Sequence, residues 1–193
     1  MKMTRRLFLF FGFTVLGFAF SAKSQVQSVT NEKESARIFV QKFYDWYLVL
    51  WAEAQKHPSR SATRELAVSQ KPEYFDNALK SALAKDDSAQ NKSGDIVGLD
   101  FDPFLRCQEL YGEYQACDVK RTGGKYFVDI RNIEKGKTEK EIRGAELRVV
   151  AGLVKRNGHW IFTNFMYPSK DGKSNLLSML KDLKNDRDKS SIK

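Results

Sequence analysis

The chain has little of what recognisable active sites are usually built from. It holds 2 Cys and 2 His in 193 residues. No Cys-x-x-Cys spacing and no histidine cluster occurs, which excludes the common zinc and dithiol signatures. A phosphate-binding loop and a dinucleotide-binding glycine pattern are absent as well. His57 stands before Pro58 and His159 follows Asn157-Gly158. Neither has metal-ligand spacing, so both read as exposed, and they do not make a nucleophile–base pair. After residue 20 no apolar run approaches the roughly 20 residues that cross a bilayer. No internal repeat is visible. The pattern assigns no catalytic residue, metal or cofactor.

What is present begins with an address. Met1 to Arg6 is basic, Leu7 to Phe20 is uninterruptedly apolar, and the small residues Ser21, Ala22 and Ser24 follow. This is the layout of a cleavable signal peptide over residues 1–24, ahead of one domain over 32–187. An uncleaved anchor is the alternative. No Cys follows the apolar stretch, which argues against a lipoprotein. The secretory route fits this stretch best; Thr4-Arg5-Arg6-Leu7-Phe8-Leu9 also resembles a twin-arginine signal. A periplasmic or secreted location is therefore expected. Six of the 14 Phe belong to the leader, and its four cations account for part of the formal charge of +9, leaving +5. That mild excess points to no nucleic-acid partner. Cys107 and Cys117 are an even pair for an oxidising compartment, either bridged or two separate thiols.

Periodicity then divides the chain. Residues 25–33 read as a loose lead-in and 32–56 as a helix with Phe39, Phe43, Trp46 or Tyr47, Leu50 and Ala54 on one face. His57 to Ser61 is a turn. A second helix spans about 72–85, with Phe75, Leu79, Ala82 and Leu83 buried; 86–98 reads as a flexible loop. Asp102 is placed to cap a turn opened by Pro103. From 114 the period becomes two. Strands flank Gly123-Gly124, a charged loop covers 134–141, and strands at about 143–156 and 160–167 flank Asn157-Gly158. That turn sets Leu153 opposite Phe162 and Val154 opposite Ile161, in a strand pair read as central and buried on both faces. Gly144 and Gly152 would let the sheet curl. Ser174 caps a last helix carrying Leu176, Leu177, Leu180 and Leu183, and the tail from Asp186 frays. The expected class is α+β: a curved antiparallel four-strand meander over about 114–167, packed by N-terminal helices and a C-terminal helix into a cone with a pocket at its wide end.

Three segments carry a resemblance: Phe43-Tyr44-x-Trp46-Tyr47-Leu48; Asp100-Phe101-Asp102-Pro103-Phe104-Leu105 followed by Gln108-Glu109; and Gly158-x-Trp160-x-Phe162-x-Asn164-Phe165-x-Tyr167-Pro168. In that order, with Leu176-Leu177 behind them, they resemble a family of bacterial exported domains of unknown function. Those domains have a fold similar to nuclear transport factor two, the cystatin-like cone. Glu109 stands where the family often has Asp, and Cys107 where it has a small residue. The resemblance implies architecture and export rather than a chemistry.

Polar residues among the apolar runs are the candidates for a pocket or ligand site: Tyr44, Asp45 and Tyr47 on the first helix, Asp100 and Asp102 in the loop, Asn164 and Tyr167 on the last strand. A carboxylate among them suits a general base. The plainer reading has Asp102 capping its turn, Asp45 and Asp100 in water, and Asn164 holding down the Asp100–Phe104 loop. Lys120, Arg121, Lys125, Lys155 and Arg156 gather at the two hairpin ends, suited to an anionic surface or simply to keeping turns soluble. The expected function is a non-catalytic exported binding protein, of the inhibitor or immunity type among others. Its partner would be a protein or small molecule of the envelope, without a stable membrane span in the mature chain. The alternative is a small-molecule enzyme of the cone fold (isomerase, dehydratase or hydrolase) using a pocket carboxylate.

Overall fold

A computed structural model describes residues 19–56, 63–93, 96–110, 112–133, 136–144, 146–169 and 174–190. Most of the expected leader, residues 1–18, and the turn at His57 lie outside them. Contacts divide the chain between Glu32 and Lys33, and the fold that follows belongs to the unit beginning at Lys33.

The fold is α+β. Helix α1 (Ala19–Gln55) is followed by α2 (Thr63–Gln70), a 3-10 turn (Pro72–Tyr74) and α3 (Asn77–Lys92). Then come β1 (Glu113–Thr122), β2 (Lys125–Ile133), the short α4 (Glu139–Gly144), β3 (Leu147–Arg156), β4 (His159–Met166) and α5 (Leu176–Ser190). The four strands pair antiparallel in the order β1-β2-β3-β4. Register shifts interrupt all three pairings, between Ala116 and Val119, Ile130 and Arg131, and Gly152 and Leu153. Such bulges bend strands, and the sheet is curved accordingly. Among the described residues, no helix is long and apolar enough to cross a membrane.

The last hairpin follows the expected register, with Leu153 opposite Phe162 and Val154 opposite Ile161. Asn157 and Gly158 have φ of 51° and 82°, the left-handed pair that a two-residue hairpin turn requires. β4 is nevertheless an edge strand, and Val154 and Ile161 are only half-buried. Its outer edge is covered by Phe75, which bridges to Phe162, and by Asn175, which bridges to Met166. The opposite edge is covered by a side chain. Gln41 of α1 donates to Tyr114 O (3.2 Å) and accepts from Ala116 N (2.8 Å), imitating a strand neighbour.

Several boundaries differ from the sequence reading. The lead-in is helical, since α1 starts at Ala19. A helix at 63–70 was not foreseen. Pro72 opens a 3-10 turn, and α3 begins only after Asp76, whose carboxylate accepts from Leu79 N at 2.8 Å. α3 then runs on to Lys92 through the stretch expected to be loop, because Asp86 and Asp87 are buried there. Gly144 ends α4 instead of lying in a strand. Asn175, not Ser174, caps α5, accepting from Ser178 N at 3.1 Å, and α5 stays helical past Asp186.

The core is aromatic. Phe43 of α1 lies within 6 Å, centroid to centroid, of Phe75, Phe104 and Phe162, and Phe165 lies 4.8 Å from Phe104. All five are at most 2% exposed, so the concave side of the sheet is filled by rings. Tilted and edge contacts of this kind add about 0.5–1.5 kcal/mol per pair beyond burial.

Candidate functional site

The loop from Asp102 to Cys107 brings four of the expected site residues together: Tyr44, Tyr47, Asp102 and Tyr167. It is closed by Asp102 N to Cys107 O (2.8 Å) and Arg106 N to Asp102 O (2.7 Å), with Arg106 at φ 52°. Pro103, Phe104 and Leu105 are buried. A buried loop must satisfy its carbonyls without water, and here tyrosines do so. Tyr167 donates to Pro103 O (2.9 Å), Tyr44 to Phe104 O (2.6 Å) and Tyr114 to Leu105 O (3.1 Å). Three hydroxyls from α1, β1 and the chain just past β4 thus hold three consecutive carbonyls.

Asp102 completes the arrangement. Its Oδ1 accepts from Phe104 N and Leu105 N, both at 3.0 Å, and its Oδ2 accepts from Tyr47 OH at 2.5 Å. Burial raises its carboxyl above the usual range, against the pull of Tyr47, the two amides and the positive Arg64. Burial likewise raises all four tyrosines, with the nearby Asp102 charge adding to the shift. They remain neutral donors across the physiological range. Arg106 adds a bond to Pro168 O at 2.8 Å and lies over the Tyr167 ring.

The other candidates sit elsewhere. Asp45 is exposed and accepts from Gln41 at 2.8 Å, beside a polar groove of about 470 Å³ lined by Arg37, Gln41, Glu113 and Gln115. Asp100 is exposed. Asn164 does have a structural role, but toward α5. It donates to Asn175 Oδ1 (2.8 Å) and accepts from Leu177 N (3.2 Å), while Tyr167 holds the loop that Asn164 was expected to hold. Cys107 and Cys117 are free thiols, the unbridged of the two arrangements open to them. Cys107 ends the tethered loop, against Tyr114. Cys117 lies on the β1 bulge with Sγ directed at Gln115 O (3.5 Å), and its charged neighbours are Arg131, Asp118, Asp129 and Arg37. Among the described residues, no group of three His, Cys, Asp or Glu could hold a metal ion.

A second polar cluster escaped the sequence reading. Arg64 of α2 pairs with Asp87 (2.7 Å) and lies 3.6 Å from Asp86; Arg187 of α5 pairs with Asp86 at 2.8 Å. Asp86 also accepts from Leu99 N (3.0 Å), and Arg187 donates to Val97 O (2.7 Å). Gly98 lets the chain pass this close: a Cβ there would lie 2.8 Å from Asp86 Oδ2. Burial raises the Asp87 carboxyl despite Arg64. The Asp86-Asp87 pair, so polar that it suggested a flexible loop, is the buried half of a clamp. A third feature is Asp129 on β2, 7% exposed, whose carboxyl burial raises against the pull of Lys120 and Arg131.

Grooves along the helices complete the picture. One of about 410 Å³ runs between α2 and α3 beside Val68, Leu83 and Asn91, and one of about 250 Å³ lies between α3 and α5. No protein family, curated protein or solved structure matches the chain.

Proposed function

We propose that the chain is an exported binding protein of the cell envelope that works through its surface. The observation that supports this is the fate of the polar groups in the candidate site. Both oxygens of Asp102 and the hydroxyls of Tyr44, Tyr47 and Tyr167 are bonded within the fold, to the main chain of 103–105 and to each other. A base must be free to reach a substrate proton. The grooves between helices stay open to a protein or small molecule. The curved sheet and the helix order also support the resemblance to the cone-like exported domains, and inhibitor or immunity-type binding falls within this reading. One observation favours the enzyme alternative: burial raises the Asp102 carboxyl, as it does at many catalytic carboxylates.

The test has two parts. Fractionation of the producing cells followed by N-terminal sequencing should find the chain outside the cytoplasm, beginning near residues 22–25. A cytoplasmic chain beginning at Met1 would remove the export reading. An activity lost in Asp102→Asn with folding and partner binding intact would favour the enzyme instead.

A further inference from the structure

A meander turns both of its outer hairpins toward the same end of the sheet. Here that end carries Lys120, Arg121 and Lys125 around the first turn and Lys155 and Arg156 before the second. All five are exposed, although Lys120 also lies near the carboxyl of Asp129. Two of the cations are braced by rings: Arg121 lies over Tyr126 at 5.6 Å and Lys155 over Trp160 at 5.4 Å. Tyr126 and Trp160 themselves meet edge to face at 4.8 Å and are nearly buried. The charges therefore stand on a rigid base, although turns alone could be kept soluble by mixed charge.

The same end is where the chain enters the domain. Ser35 of α1 accepts from Trp160 Nε1 at 3.0 Å. In sequence, the apolar stretch Leu7 to Phe20 precedes that contact by about fifteen residues.

We infer that the paired hairpin tips form a docking surface for an anionic membrane. Five cations on one rigid end suit a sheet of phosphate headgroups, where each Lys or Arg near the surface strengthens binding roughly fivefold. This goes beyond the binding reading above by naming a surface and a partner chemistry. It can fail while export stands, since it is tested with purified material.

The experiment measures binding of the protein, as recovered from cells, to vesicles of neutral phosphatidylcholine and to vesicles with roughly one-third phosphatidylglycerol. Preferential binding to the anionic vesicles is expected, and the preference should vanish in about 1 M salt, where screening is short-ranged. The double reversal Lys125→Glu/Arg156→Glu should weaken anionic binding by at least about tenfold, leaving neutral vesicles and the unfolding midpoint unchanged. Lys181→Glu/Lys184→Glu on α5 makes the same change in net charge and should have a small effect. Equal binding of the wild type to both vesicles overturns the inference, whatever the variants do. So does an equal loss from both reversals, or binding to a soluble polyanion such as heparin without binding to vesicles.

Discussion

Two loops of this molecule are pinned by opposite means. The 102–107 loop is held by neutral tyrosine hydroxyls on consecutive carbonyls, with one carboxylate shared among Tyr47, Phe104 and Leu105. The 97–99 segment is held by ions, with Arg64 and Arg187 on either side of Asp86 and Asp87. Neutral donors lose little on burial and add about 1 kcal/mol each. Buried ions cost more to desolvate and depend on every partner being present. The tyrosine tether should therefore weaken step by step as donors are removed, whereas the clamp should fail when any one ion is lost.

The largest expected effect breaks the clamp. Arg64→Ala leaves Asp87 and part of Asp86 buried without a counter-ion and should cost about 3–5 kcal/mol in denaturant unfolding. Next comes Asp102→Ala, which strips two buried amides and the Tyr47 hydroxyl of their acceptor, at about 2–4 kcal/mol. Tyr167→Phe removes a single donor from Pro103 O and should cost about 1–3 kcal/mol. A loss beyond that range would mean the tether is as brittle as the clamp.

The smallest effect has the opposite sign. Burial raises the Asp129 carboxyl, so the folded state holds its proton more tightly than the unfolded chain does. The group's contribution is then most favourable at acid pH. It declines as pH rises from the ordinary carboxylate range to the raised folded value. Asp129→Asn should raise the unfolding midpoint at neutral pH and leave it nearly unchanged at pH near 3, below the ordinary range. A lower midpoint at neutral pH would show that Lys120 and Arg131 outweigh the desolvation.

Much of the fold could be read from the residues. The turns at Gly123-Gly124 and Asn157-Gly158 sit where their backbone preference places them, and the Leu153–Phe162 register follows from the second. The apolar spacing of Phe43, Leu79 and Leu83 marked true core faces, and of the pair it left open, Trp46 or Tyr47, Tyr47 is the buried one. Of the candidate site, Asp102 capping its turn was legible as a local property, three residues long. That Tyr44 and Tyr167 converge on its neighbours was not, because contacts across 60 and 64 positions leave no trace in spacing. Asp86-Asp87 misled for the same reason: adjacent carboxylates look solvated until their arginines arrive from 23 and 101 residues away.

The interior site is closed by its own tyrosines. Native-state hydrogen exchange at the Phe104 and Leu105 amides tests this most directly. Their bonds to Asp102 should open only with global unfolding, so both should exchange as slowly as the amides of the core strands, with a matching denaturant dependence. Rapid exchange at these two amides while Val128 and Leu153 stay protected would mean the loop opens on its own, exposing Asp102 as a reachable carboxylate.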